Sequence, residues 1–288
     1  MQAKEERSAC LGLSPCPNDT FIFHALLHGL VLARDSEDLR WIPKMADVER
    51  LNRHALNADY EVTKLSLGVV PHVQRDYALL SSGAALGWGC GPLLVAKQPL
   101  SGAEMRKASV AIPGRFTTAN ALLDLRGGFE GSRKEMLFSR VMEAVETGET
   151  DMGLIIHEGR FTYERHGLVK LLDMGEWWES EFHMPLPLGV IAVRRDIAED
   201  LALAIQEAIA ASLRHAWQNP EASREFVREN AREMESSVTE AHIKTFVTPF
   251  SHDLGESGKD AIRMLVERAC EKRGLEPVRG LFLQDRQF

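Results

Sequence analysis

The sequence predicts a two-lobed α/β protein with a central cleft and a helical C-terminal third. Three observations carry that prediction. Short apolar runs alternate with helical spacing over the first two thirds of the chain, the rhythm of parallel strands joined by crossover helices. Two such units follow one another, with strand-like passages near 93–96 and 188–193 after each of them. Beyond Asp196 the spacing is helical to near the end. That order assigns 1–97 plus 192–288 to a discontinuous α/β first lobe and 98–191 to an α/β second lobe. It is the plan of a protein that closes on a ligand by hinge motion.

In chain order, residues 10–13 read as a buried strand. It runs into Ser14-Pro15-Cys16-Pro17-Asn18-Asp19, a turn and helix-start cluster, and a helix over 19–30. A strand over 39–42, a helix over 48–55, a strand over 62–65 ending at Ser66 and a short helix over 71–75 complete the first unit. Gly87 to Pro92 is a loop before strand 93–96, and polar residues 97–107 lead to the second unit. That unit reads as strand 109–112, helix 118–125, strand 135–138, helix 139–145 stopped at Gly148, strand 152–156 and strand 168–172. Pro185-Leu186-Pro187 opens the return passage, and helices over 200–218, 220–234, 239–247 and 259–272 follow.

Composition bounds the function. The 288 residues are 44% hydrophobic and 26% charged, which suits a soluble globular chain with a sizeable core. The net charge of −8 and the absence of a dense Lys/Arg run argue against nucleic acid as a partner. Cys10, Cys16, Cys90 and Cys270 show neither zinc spacing nor a disulfide framework, which fits reduced cytosolic thiols. The polar start, residues 1–8, has no secretory pattern, and no apolar run reaches the ~20 residues that span a bilayer. The expectation is a cytoplasmic protein with a small-molecule partner and no membrane.

In open α/β sheets ligands bind beyond the carboxyl ends of strands, so the polar clusters there are the candidates. Asn18 and Asp19 follow the first strand, and Ser66 ends the third. Thr117 and Thr118 precede a helix whose free N–H groups and positive dipole end suit a carboxylate, with plain N-capping as the competing reading. His157-Glu158-Gly159-Arg160 follows strand 152–156, where an imidazole is placed for proton transfer near neutral pH. A surface or hydrogen-bonded histidine is the alternative.

Other features carry less. Cys16, at a helix start, reads as packed rather than nucleophilic because the sequence shows it no partner base. His24 and His28 have zinc spacing without the metalloprotease glutamate, and Gly87-x-Gly89-x-Gly91 precedes a strand instead of linking strand to helix. Leu65-Ser66-Leu67-Gly68 lacks the nucleophile-elbow pattern, so Ser66 reads as a hydrogen bonder. Trp177-Trp178 reads as packing before an aromatic lid. Glu225, Arg228, Glu229 and Arg232 read as a solvated face.

Longer blocks go further. Ser14-Pro15-Cys16-Pro17-Asn18-Asp19-Thr20-Phe21-Ile22-Phe23, Asp47-Val48-Glu49-x-Leu51-Asn52, Thr63-Lys64-Leu65-Ser66, Pro113-Gly114-Arg115-x-Thr117-Thr118-Ala119, Gly153-Leu154-Ile155-Ile156-His157-Glu158-x-Arg160-Phe161-Thr162-Tyr163 and Pro185-Leu186-Pro187-Leu188-Gly189 stand in this order. Together they resemble the 1,4-dihydroxy-6-naphthoate synthases of the futalosine route to menaquinone. The resemblance covers most of the chain to about Val193. It implies a periplasmic-binding-protein-like (type II) fold used inside the cell, and lyase cleavage of cyclic dehypoxanthinyl futalosine with loss of a three-carbon fragment. No metal or organic cofactor is implied. The implied catalytic base is His157. Ser66, Thr117 and Thr118 are the implied substrate contacts, with Asn18, Asp19 and Arg160 beside them. Phe116 and Gly159 depart from otherwise matching blocks and leave the local pocket shape open. A non-catalytic binder of small acids and the related chorismate dehydratase of the same route are the alternatives.

Overall fold

A computed structural model describes residues 7–31, 39–231 and 235–285. The opening residues 1–6, and Arg232 and Met234 near the end of the expected 220–234 helix, lie outside them. The strands are β1 (Arg7–Leu13), β2 (Leu39–Met45), β3 (Val62–Ser66), β4 (Tyr77–Leu79), β5 (Ala85–Gly87), β6 (Leu93–Ala96), β7 (Val110–Ile112), β8 (Arg133–Glu135), β9 (Met152–Ile155), β10 (Val169–Asp173) and β11 (Leu186–Arg194). The first helices are α1 (Pro17–Leu27), α2 (Val48–Ala55), α3 (Val70–Val73), α4 (Gly102–Lys107), α5 (Thr118–Arg126), α6 (Val141–Thr147) and α7 (Gly159–Thr162). They are followed by α8 (Met174–Phe182), α9 (Glu199–Gln218), α10 (Arg224–Asn230), α11 (Ser236–Phe246), α12 (Pro249–His252) and α13 (Gly255–Arg273).

Two sheets result, as expected of an α/β chain of two units. The first runs β2-β1-β3-β11-β4, with β5 also on β11, and the second runs β10-β6-β9-β7-β8. Each has a parallel centre: β1 with β2 and β3, and β7 with β8 and β9. The two crossing strands, β6 and β11, pair antiparallel to their neighbours. Their sheet membership differs from the expected lobe boundaries. β6, assigned to the first lobe, pairs in the second sheet, and 186–191, assigned to the second lobe, begins the long strand of the first. An apolar run states that a strand is buried; register with its neighbours decides in which sheet.

Burial explains the elements. Every residue of β3 is buried, as fits a strand flanked on both sides. Pro17 to Leu26 of α1 are all buried because the helix lies under α9, α10 and α11. On α9, Ile205, Ala208, Ile209, Ser212, Leu213 and Ala216 form one buried stripe. Ser212 Oγ donates to Ile22 O at 2.6 Å and accepts from Leu26 N at 3.0 Å, fixing α9 on α1. The largest apolar cluster is shared by both sheets and α13, with Leu65 and Val190, Leu94 and Leu154, and Ile262 and Leu265 among its members.

Some elements differ from expectation. The strand placed at 135–138 lies at Arg133–Glu135, and Phe138–Arg140 is a single 3-10 turn. β4 and β5 are three residues each, too short to show alternation. α4 rises within the polar stretch, closed by a Ser101–Glu104 capping box. α8 carries Trp178 fully buried, its Nε1 donating to Pro185 O at 3.2 Å, so the tryptophan is packing. Gly148 ends α6 in the left-handed conformation, as read. Glu225, Arg228 and Glu229 are exposed. Among the described residues no helix is long and apolar enough to cross a membrane.

Candidate active site

One cleft gathers the polar segments that follow the strands. Ser14 comes from the β1–α1 turn and Asn18 from the start of α1, Lys64 and Ser66 from β3, Thr117 to Ala119 from the start of α5, His157 from the turn after β9 and Arg160 from α7. Cys90 to Pro92, Leu188 and Gly189 of β11, and Phe246 of α11 complete the wall. The cavity these residues enclose is about 80 Å³. Of the residues expected from sequence, Asn18, Ser66, Thr117, Thr118, His157 and Arg160 line it; Asp19 does not.

His157 is half-buried and sits at φ +55°, a left-handed conformation that few non-glycine residues adopt. Such strain persists where surrounding packing holds it, and it concentrates at functional sites. Phe138 packs on the imidazole edge to face, with centroids 5.0 Å apart. The ring of His242 lies nearly parallel to it, at 5.9 Å and 10°. Burial holds the His157 imidazole below its ordinary value; the nearby Glu158 and Asp19 pull it back up, and Lys64 pushes it down. The neutral base is therefore the form present near pH 7.

Cys16 Sγ lies 3.6 Å from Nδ1 and 4.0 Å from Nε2 of His157. The sequence offered this thiol no base, and the fold supplies one from 141 residues away. Burial still pushes the Cys16 thiol up, so it stays protonated and packs against the ring.

Asp19 is fully buried and every contact it makes is internal. Oδ2 accepts from Ser14 N at 3.2 Å and Ser14 Oγ at 2.7 Å; Oδ1 accepts from Asn18 Nδ2 at 2.9 Å and Lys64 Nζ at 2.7 Å. Its carboxylate is thus occupied by four donors of the protein itself. Because Asn18 Nδ2 donates to Asp19, Asn18 Oδ1 faces His242 and accepts its Nε2–H at 3.0 Å. His242 is fully buried, and burial, then His157 and Lys64, hold it well below the ordinary imidazole range.

The hydroxyls after β7 are also committed to protein. Thr117 caps α5, accepting from Asn120 N at 3.3 Å and donating to Gly114 O at 2.8 Å. Thr118 Oγ1 accepts from Leu67 N at 2.8 Å and donates to Leu188 O. Both hydroxyls bridge backbone groups here, and both residues line the cleft. The leading N–H groups of α5, from Thr118 and Ala119, remain the donors that end offers. Ser66 fits its reading better. Its Oγ accepts from Asn52 Nδ2 at 3.0 Å, which leaves the hydroxyl hydrogen for a ligand. Arg160 donates to Gly91 O at 2.6 Å and to Asp173 Oδ2 at 2.8 Å, and lines the cleft with the rest of its guanidinium.

Sequence reasoning missed Lys64, the Cys90 to Pro92 wall and Phe246. Lys64 stood inside a quoted block without a role; a lysine in an otherwise apolar central strand was the available signal. Phe246 and His242 had none, because helical spacing does not say which turn reaches a distant cleft. Among the described residues no group of three or more His, Cys, Asp or Glu is placed to hold a metal ion, and His24 and His28 pack against Phe226.

Comparisons with known proteins agree with this frame. A family model described as menaquinone biosynthesis matches residues 10–271. A Thermus thermophilus protein named 1,4-dihydroxy-6-naphtoate synthase is 46% identical over 92% of this chain and 94% of its own. A Streptomyces coelicolor protein of the same name is 43% identical over 94% of this chain and 95% of its own. A crystal structure of an Archaeoglobus fulgidus protein superposes with a TM-score of 0.86 at 33% identity, covering 94% of this chain and 99% of that one. The periplasmic aliphatic sulphonate binding protein SsuA of Escherichia coli superposes at 0.69 with 10% identity, covering 99% of this chain and 93% of that one, which shows the shared fold.

Proposed function

The chain belongs to the menaquinone biosynthesis family, and from that premise we propose that it is a 1,4-dihydroxy-6-naphthoate synthase acting on cyclic dehypoxanthinyl futalosine in the cytoplasm. The observation that carries this reading is its near full-length likeness, above 40% identity, to two proteins of that name. The cleft supports it, because a half-buried neutral imidazole faces a wall of hydrogen-bond donors.

In this reading the enzyme is a lyase. His157 takes a proton from the substrate, the carbon–carbon bond breaks with its electron pair leaving on the three-carbon fragment, the imidazolium returns the proton to that fragment, and the ring system aromatises. Aromatisation supplies the driving force, so a positioned base suffices and no metal or organic cofactor is required. The leading N–H groups of α5 hold the carboxylate, while Ser66, Asn18 and Arg160 orient the remaining oxygens. General base catalysis contributes roughly 10²–10⁴-fold, about 3–5 kcal/mol of barrier.

Incubating the pure protein with cyclic dehypoxanthinyl futalosine yields 1,4-dihydroxy-6-naphthoate by mass spectrometry. His157→Asn loses roughly 10²–10⁴-fold of turnover and still binds product. Ligand binding with no product formed returns the protein to the solute-binding class of its fold neighbours, and consumption of chorismate instead assigns it to the dehydratase of the same route.

A further inference from the structure

The mechanism above leaves one charged group in the cleft without a task. Lys64 stands on the fully buried strand β3 and is only 5% exposed. Its stem crosses Gly189 of β11, where an added Cβ would lie 3.1 Å from Lys64 Cε, so glycine makes room for the chain to pass. The ammonium ends 2.7 Å from Asp19 Oδ1 and lines the cleft with Ser66 and His157.

An ammonium has three donors. Among the described residues Asp19 is the one acceptor for Lys64 Nζ, which leaves two N–H groups unmatched at a nearly dry position. Buried charged donors call for acceptors, and the protein supplies one. Asp19 has its other acceptor positions filled by Ser14 and Asn18, so the ammonium is held in one place and its remaining hydrogens are directed elsewhere. The other cation of the wall, Arg160, is anchored to Gly91 and Asp173 instead. Lys64 is also close enough to His157 for its charge to weigh on the imidazole.

We propose that Lys64 is a catalytic residue that receives the negative charge created at proton transfer, donating a hydrogen bond to the substrate oxygen on which it comes to rest. The proposal rests on the synthase reading. In the step, the substrate C–H bond breaks and an N–H bond forms on His157. The electron pair moves through the conjugated system onto an oxygen, making an enolate or naphtholate. Lys64 keeps its proton and forms no covalent bond. A preorganised donor aimed at developing charge, away from water, is worth far more than the same donor in solution.

The test compares wild type, Asp19→Asn and the double variant Lys64→Met/Asp19→Asn, in which the buried pair is neutralised together. Relative to Asp19→Asn, the double variant loses about 10²–10³-fold in kcat while KM stays within about threefold. The second readout is the absorbance of bound 1,4-dihydroxy-6-naphthoate, titrated anaerobically. Wild type lowers the pKa of the bound naphthol by about one pH unit or more relative to the double variant. A rise in KM at unchanged kcat, or equal naphthol ionisation in both proteins, overturns the proposal. If the double variant does not fold by circular dichroism, Lys64→Arg carries the same two readouts, since it keeps Asp19 paired but moves the donors; a kcat within about threefold of wild type and an unshifted naphthol then overturn it. Wild type that shifts the naphthol but makes no product keeps Lys64 as the oxyanion donor and sinks the synthase reading.

Discussion

At the scale of single residues, the site is a set of side chains whose roles depend on what else they touch. His157 is the clearest case. Sequence placed it at a strand end, and the structure adds a left-handed backbone, the Cys16 thiol and a parallel His242 ring. Burial lowers the folded pKa of both His157 and His242, whereas an unfolded histidine titrates near 6.5. As pH falls through that value the unfolded chain binds protons that the native state refuses. Stability is therefore full above about 6.5 and is lost as pH drops toward the folded values. The same shift keeps the base neutral into mild acid. The acid limb of kcat/KM should lie below pH 6.5, and urea midpoints should begin to fall from about that pH. A limb centred above pH 7 would contradict the assignment of His157 as base. Asp19 adds a second case: the four donors that occupy its carboxylate come together only in the fold.

At the scale of elements, helix starts do most of the positioning. α1 begins with Pro17 at its first position and aims Ser14 and Asn18 into the cleft, and α5 begins with a capped Thr117 and presents its leading N–H groups there. Thr117→Ala removes the bonds to Asn120 N and Gly114 O, so chemical denaturation should show a loss of roughly 0.5–2 kcal/mol. An unchanged urea midpoint would mean that α5 needs no side-chain cap. Helix and strand existence was legible wherever an element was long or periodic, as with Val48–Ala55 and Glu199–Gln218. It failed at β4 and β5, whose three residues are decided by pairing with β11 and not by their own pattern.

At the scale of the molecule, the two sheets are held across the cleft by contacts that skip far along the chain. Thr118 Oγ1 joins α5 to Leu67 N and Leu188 O. Glu49 of α2 accepts from Phe116 N at 3.0 Å, and Arg53 reaches Glu135 of β8. Gly68 meets Thr117 so closely that an added Cβ would lie 2.4 Å from its carbonyl oxygen. Gly68→Ala should wedge this junction open. A displacement on the order of 1 Å at α5 predicts a drop of about 10²-fold in kcat/KM, with far-UV circular dichroism unchanged. Wild-type kinetics in that variant would show that the junction does not set the catalytic geometry. The amino-acid order by itself determined the alternation of strands and helices, the return of the chain to its first sheet and the segments that carry polar groups, because period and turn chemistry are local. Only the tertiary structure decided which sheet β6 joins, that Lys64 and not Asp19 faces the cleft, and that His242 lies against His157. Those outcomes depend on register, burial and competition for donors between residues tens to hundreds of positions apart, which no local pattern encodes.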